Sequence, residues 1–296
     1  MIKSDAVVSG QLERAQAGTQ SRRLASYLLR FAGYAILIAC ALFMVVPFLW
    51  MLSTSLKTNQ HLLTLTPKFF ARPLSLESYQ VLFAVFPLLR MIGNSLVVAS
   101  LTTIGRLLTS AMAAYAFARM QFRGSQLLFM LYLATLMVPQ QVTIIPLFIL
   151  MKDFGWINSY SGLIVPGLFS AFGTFMLRQY FVSLPRDLDE SAFIDGASHL
   201  DVFWRIILPL SKPALATLTV FLFMGSWNDF LWPLFIVREE VMMTLPVGLA
   251  ALNGQYLSQW NLIMAGSVIS VIPMIVLYLF AQKYVVQGFV RSGLKS

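Results

Sequence analysis

Charge is scarce in this chain. Only 11% of its 296 residues are charged, against about 25% in an ordinary soluble domain. Acid is scarcer than base, with 12 Asp and Glu against 21 Lys and Arg, a net charge of +9. There is one cysteine, Cys40. An intrachain disulfide is therefore excluded, and a lone thiol builds no metal cluster. The two histidines, His61 and His199, fall in segments far apart in the chain. No H-E-x-x-H motif and no Ser/His/Asp set is present. A phosphate-binding loop is also missing. Gly288 and Gly293 have the right spacing, but Leu294 stands where lysine is required, and Lys295 comes one place late. The chain is thus expected to be no enzyme, to bind no metal or cofactor, and to hydrolyse no ATP itself.

What it has in excess is apolar length. Hydrophobic residues make up 58% of the chain. Crossing a bilayer takes ~20 apolar residues in a helix. Six such stretches run from about Phe31 to Ser53, Met91 to Phe117, Gln126 to Leu150, Ser161 to Phe181, Ala214 to Val237 and Asn261 to Val286. Five contain prolines: Pro47, Pro139 and Pro146, Pro166, Pro233 and Pro273. A soluble helix tolerates these badly, whereas in membranes neighbouring helices satisfy the freed carbonyls. The expected fold is all-α, a polytopic membrane protein with six transmembrane helices.

The basic residues sit at the ends of apolar runs rather than on one polar domain. That pattern excludes a nucleic-acid partner and reports topology instead. With a cytoplasmic N-terminus, the inner segments hold Lys3, Arg14, Arg22, Arg23, Arg30, Arg119, Arg123, Arg178, Arg186, Arg205, Lys212, Lys283, Arg291 and Lys295. The outer segments hold only Lys57, Lys68, Arg72, Arg90, Lys152 and Arg238. The bias puts both termini in the cytoplasm. Residues 1–25 read as a flexible tail, and 26–296 as one transmembrane domain. Leu37-Ile38-Ala39-Cys40 resembles a lipid-attachment box, but the apolar run continues to Ser53, so a retained signal-anchor is the reading. Of the outer segments, 54–90 has room for a short helix over the pore mouth.

One inner segment differs from all others. Residues 182–213 hold five of the twelve acids: Asp187, Asp189, Glu190, Asp195 and Asp201. Asp187 followed by Glu190 has the spacing of a capping box, with Pro185 just upstream. A short helix is predicted from Leu188 to Asp195, stopped by Gly196 in a left-handed C-cap. Ser198 with Asp201 marks a second start. The next helix is predicted to place Leu200, Phe203 and Ile207 on one face and to end at Leu208-Pro209. The product is a helix–turn–helix elbow. Composition alone makes it a capped connector.

The spacing makes it more. Glu190, Ser191, Ala192, Asp195, Gly196, Ala197, Phe203, Leu208, Pro209 and Pro213 match the E-A-A, two residues, D-G-A, aromatic, L-P and second-proline pattern. This resembles the cytoplasmic loop of binding-protein-dependent ABC importer permeases. Ser191 replaces the usual alanine. The resemblance covers nearly all of the chain. Residues 226–234 (SWNDFLWPL), 244–249 (TLPVGL), 115–119 (AYAFAR) and 94–96 (NSL) look like the carbohydrate branch that includes the maltose importer permeases.

That resemblance implies a mechanical role. The elbow inserts into a groove on a separate ATPase, and ATP-driven closure of two ATPase subunits turns the pore outward. Glu190, Ser191, Ala192, Asp195, Gly196, Ala197, Leu200 and Phe203 are the expected ATPase-coupling residues. The implied partners are a homologous second permease, two ATPase subunits carrying ATP and Mg, an extracytoplasmic solute-binding protein, a sugar and membrane lipid. The implied location is the bacterial inner membrane. An ion-coupled secondary transporter is the competing reading, but it needs no elbow, and no paired broken-helix repeat is visible.

Candidate substrate-pathway residues are Gln140, Gln141, Trp227, Asn228, Asp229 and Arg106. Buried amides also join membrane helices, so a bridging role competes. Arg106 lies thirteen residues before Arg119, ~20 Å deep in its span. Asp229 lies sixteen residues beyond Pro213, ~24 Å deep. An unpaired charge there costs at least ~2.5 kcal/mol, so an Arg106–Asp229 pair is the preferred expectation. An anionic cargo group and backbone carbonyls are the other partners considered for Arg106.

Overall fold

The computed structural model describes the backbone of residues 2–58, 74–255 and 259–293, and the side chains of 27, 29–58, 74–252 and 259–283. His61, Lys68 and Arg72 lie outside the described residues. Every regular element among those described is helical.

The first helix, α1 (Ile2–Ser55), passes through Pro47 without interruption. No break in it marks the boundary expected at residue 25. Short α2 (Glu77–Val85) answers the helix expected in the 54–90 segment. It leads into α3 (Leu88–Arg119), the long helix on which most of the molecule is assembled.

The third apolar stretch is not a straight helix. It divides into α4 (Ser125–Ala134), with a 3-10 turn Thr135–Met137, and α5 (Gln140–Asp153), the two bent by 96°. Pro139 sits at the bend in extended conformation. Proline disfavours helical backbone in the residue before it, and Val138 is extended accordingly. The fourth stretch divides into α6 (Tyr160–Ile164), with a 3-10 turn Val165–Gly167, and α7 (Ala171–Val182), bent by 42° next to Pro166. Four helical stretches are individually long and apolar enough to cross a bilayer: Leu29–Ser55, Leu88–Arg119, Lys212–Ile236 and Trp260–Lys283. The two bent pairs bring the number to six if each is one span.

The elbow follows as α8 (Asp187–Ile194), α9 (His199–Val202), a π turn Phe203–Ile207 and α10 (Leu208–Leu210). Then come α11 (Lys212–Trp227), α12 (Leu231–Ile236), α13 (Leu245–Gln255) and α14 (Trp260–Gly293).

Packing centres on α3, which lies along α7 and α11, while α14 packs against α1 and α11. Close approach of α3 and α7 rests on small residues. A Cβ on Gly173 would come within 2.6 Å of Ser110 Oγ, and one on Gly105 would strike Leu168. At the elbow end of α3, a core forms from Ala111, Ala114, Tyr115, Ala118, Leu177, Phe181, Val202, Phe203 and Ile207. The opposite end of α3 packs Leu88, Met91 and Ala99 against Trp227, Leu245 and Leu262. Much of the remaining surface is apolar and bare, Phe43 being 81% exposed and Phe280 76%. So large an apolar surface needs lipid or other subunits to cover it.

Candidate functional site

The elbow's first helix starts one residue earlier than its capping spacing predicts. Asp187 is the first helical residue rather than the cap, and no side chain caps the helix. The Asp187–Glu190 capping box therefore does not form. Asp187, Asp189 and Glu190 instead crowd the first turn, where negative charge is favoured by the helix dipole. The end is as expected. Gly196 has φ +84°, the left-handed conformation. Its N–H bonds the Phe193 carbonyl at 3.1 Å, and the Ala197 N–H bonds that of Ala192 at 2.9 Å. Together these form a Schellman C-cap.

The second start is also as expected. Ser198 Oγ accepts from the Asp201 N–H at 3.2 Å, and Asp201 Oδ2 accepts from the Ser198 N–H at 3.2 Å. The Ser198 hydroxyl also donates to Asp201 Oδ2 at 2.6 Å, and this bond first, with that from the Ser198 N–H, holds the exposed Asp201 carboxyl below the usual carboxylate range. The helix after it departs from prediction. It does not end at Leu208-Pro209 but runs to Leu210, through a π turn in which the Leu208 N–H bonds the Phe203 carbonyl. The wider turn carries the chain past Pro209, whose ring clashes with the carbonyl four residues back in an ideal α-helix. The buried face is Val202, Phe203 and Ile207, whereas Leu200 is 67% exposed.

The elbow is locked to its own transmembrane helices from the inside. Ala192 and Ala197 pack on the core at the end of α3. Tyr115 Oη lies 3.2 Å from His199 Nδ1, and its ring meets Phe203 at 5.4 Å. One turn on, Arg119 Nη1 pairs with Asp189 Oδ2 at 3.3 Å, the two side chains only 3% and 9% exposed. Arg119 Nη2 also donates to the carbonyls of Phe181 (2.8 Å) and Leu184 (3.0 Å). Burial pushes the Asp189 carboxyl above the usual range, against the pull of Arg119. Sequence reading assigned Arg119 only to a span end and Asp189 only to an acid cluster. The available signal was the four-residue spacing of Tyr115 and Arg119, which puts both on one face of α3.

The outward face is different in kind. Glu190, Ser191, Asp195 and Gly196 are exposed. Ser191 donates its hydroxyl to the Leu188 carbonyl at 3.2 Å, so serine in place of alanine is satisfied within the helix. Ile194 is 86% exposed and Trp204 53%. Leu200, Ile194 and Trp204 are thus exposed apolar side chains of an elbow that also exposes the Glu190 and Asp195 carboxylates.

The deep polar residues lie elsewhere. Among the described residues no Arg106–Asp229 ion pair forms within 4 Å. Arg106 instead donates its Nε–H to the Gly167 carbonyl. The reason is the break between α6 and α7, which leaves carbonyls outside helical pairing. Thr109 donates to Leu168 O at 2.7 Å and Ser110 to Ser170 O at 3.2 Å, so α3 side chains answer the break residue by residue. Asp229 sits at a second break, between α11 and α12, where its Oδ1 lies 3.5 Å from the Trp232 N–H. Arg106 and Asp229 do border one small cavity, of about 20 Å³, with Ser95, Thr102, Ser226 and Thr244. Asn228 is exposed, its amide donating to the Met224 carbonyl at 2.9 Å. Gln140 and Gln141 are exposed at the start of α5, beside the 96° bend. Trp227 is 1% exposed, and its indole donates to the Ser270 carbonyl at 3.1 Å. In this conformation it is a core residue with no face to offer a solute.

A model of the binding-protein-dependent transport system inner membrane component family matches residues 105–291, which include the elbow, both breaks and Arg119. The chain belongs to this family. It is 36% identical over 260 residues to the arabinooligosaccharides transport system permease protein AraQ of Bacillus subtilis (strain 168), covering 86% of this chain and 92% of that one. It is 34% identical over 269 residues to the sulfoquinovosyl glycerol transport system permease protein SmoH of Agrobacterium fabrum, covering 90% and 93%. A solved chain of a bacterial ABC transporter that imports the acidic polysaccharide alginate superposes with a TM-score of 0.77. At 24% identity, covering 88% of this chain and 98% of that one, it establishes the ABC permease fold. The protein is a multi-pass integral membrane protein of the transport-permease type.

Proposed function

We infer that this chain is one of two permease subunits of an ATP-driven sugar importer in a bacterial inner membrane. Six helical spans cross the bilayer, with both termini and the elbow on the cytoplasmic side. The distribution of lysine and arginine supports this orientation. A homologous permease completes the pathway, two ATPase subunits bind ATP and Mg, and an extracytoplasmic binding protein delivers the cargo. The transport names of the relatives support a sugar cargo, whether an oligosaccharide, a polyol or an acidic sugar.

The observation that carries this reading is the two-sided elbow. Its inner side is fixed to α3 and α7 by buried groups, and its outer side offers Ile194, Leu200 and Trp204 beside Glu190 and Asp195. A rigid, apolar, acid-edged knob suits insertion into a groove with basic groups on its rim. The deep breaks at Gly167 and Asp229 suit a helix bundle that changes shape around a pathway, because irregular backbone at membrane depth belongs where protein or a cavity surrounds it.

The test uses Ile194→Asp and Glu190→Lys, which alter only exposed side chains. Both variants are expected to reach the membrane at wild-type levels and to lose the ATPase subunits on purification. Retention of the ATPases in both, with wild-type stimulation by loaded binding protein, would contradict docking through this face.

A further inference from the structure

The buried contact between Arg119 and Asp189 is the feature that elbow docking alone does not explain. A single guanidinium, the last side chain of α3, reaches three segments at once. It pairs with Asp189 of the elbow at 3.3 Å and donates to Phe181 O at the end of α7 and Leu184 O beyond it. The Phe181 carbonyl also accepts the Leu184 N–H at 3.1 Å, so the guanidinium adds a second bond at the turn that closes α7. One turn earlier on the same face, Tyr115 meets His199 at 3.2 Å. Helix α3 thus grips both halves of the elbow, α8 through Arg119 and α9 through Tyr115.

Stability is a poor account of such a pair. Removing two charges from water offsets most of their attraction, and apolar side chains of equal volume often pack as well or better. Burial outweighs Arg119 at the Asp189 carboxyl, whose pKa is raised rather than lowered. A group with a raised acid pKa contributes most below its unfolded value, and that contribution fades as pH rises through the folded one. What a planar guanidinium fork supplies is fixed direction.

We propose that Arg119 is the positioning residue of the coupling step, joining the elbow to α3 and α7 so that elbow displacement moves α3, which carries Arg106, and α7, which follows the break at Gly167. The proposal rests on elbow docking as read above. Asp189 faces inward while Ile194 faces outward, so the two functions sit on opposite sides of α8. Force entering at Ile194 leaves through Arg119. Without that link the elbow still seats in its partner but yields locally, and the ATPases close without turning the pathway.

The test is made on the complete transporter in proteoliposomes, with Arg119→Gln, Asp189→Asn, the double variant and Arg119→Lys. ATPase retention, ATP hydrolysis and solute uptake are measured together. Arg119→Gln and Asp189→Asn are expected to keep the ATPases bound and to raise ATP hydrolysed per solute imported by roughly tenfold. The double variant is expected to be no worse than either single one, because both remove the same link. Arg119→Lys, which keeps the charge and loses the fork, is expected to recover part of the ratio. A purely structural role predicts that complex yield, hydrolysis and uptake fall in parallel, with the ratio unchanged in all variants including Arg119→Lys, and that result overturns the proposal. Loss of the ATPases from Arg119→Gln also overturns it. Failure of the docking reading shows separately, as ATPases that stay bound to Ile194→Asp.

Discussion

Arg106 illustrates how a single deep charge is accommodated. Its partner is a backbone carbonyl at a helix break, the group that a membrane leaves without water. Cations are also favoured at helix C-termini, and Gly167 closes the first half of a bent helix pair. Replacing Arg106 by Gln should destabilise the purified complex by about 1.5–3 kcal/mol, the range for hydrogen bonds to charged groups. Adding Asp229→Asn should not restore it, because the two charges do not pair. Thermal unfolding of both variants in one detergent checks this, and full rescue by the second substitution would restore the ion-pair account. Gly196 is the other decisive single residue. A Cβ there meets nothing within 4 Å, so the penalty of substitution comes from φ +84° alone. Gly196→Ala should cost the elbow about 1–2 kcal/mol and Gly196→Val more, with the helix bundle intact. Limited proteolysis should find the elbow more readily cut in both, at unchanged bundle stability.

At the scale of elements, the elbow depends on two caps of different chemistry. The Schellman turn at Gly196 is set by conformation, and the box of Ser198 and Asp201 by charge. Because hydrogen bonds from Ser198 lower the Asp201 pKa, the box contributes fully above the usual carboxylate value. Its contribution is lost as pH falls through the lowered folded value. Hydrogen exchange across 198–207 should show the wild type better protected than Ser198→Ala at neutral pH, by several-fold. The difference should narrow in acid, which weakens the bonds to the Asp201 carboxylate and leaves the one from the Asp201 N–H to Ser198 Oγ. A difference that does not change with pH would show that the Asp201 carboxylate is not part of the cap.

Much of this was legible along the chain, and the misses have physical causes. Gly196 and Ser198-x-x-Asp201 are local signals that need no tertiary contact, and both hold. Leu200 does not share the buried face of Phe203 and Ile207, because Val202 takes that place in α9, and the π turn that follows is not announced by Pro209 alone. The bend at Pro139 was legible as a proline but not as a 96° corner, since neighbouring packing decides whether such a helix kinks or turns. Arg106 misled because charge invites a charge partner, whereas the freed carbonyl of Gly167 leaves no mark in composition. Arg119 and Asp189 stand seventy residues apart, and only the fold reveals that they meet.

The whole molecule is lopsided. Among the described residues, buried polar groups join helices at the elbow, at the two breaks and around Asn94 and Asn261, while α1 contributes an apolar run with nothing in its most hydrophobic window buried. Lipid can cover part of this surface, and the proposed docking assigns the exposed Ile194 to a groove on the ATPase. The central claim is therefore stoichiometric: half a pathway, driven from outside the chain through one elbow. Native mass spectrometry of the affinity-tagged protein, extracted from membranes that express its natural partners, tests it most directly. The account predicts a core complex of one tagged chain, one homologous permease and two ATPase subunits. A transport-competent particle made only of copies of the tagged chain, with no ATPase bound, would contradict it.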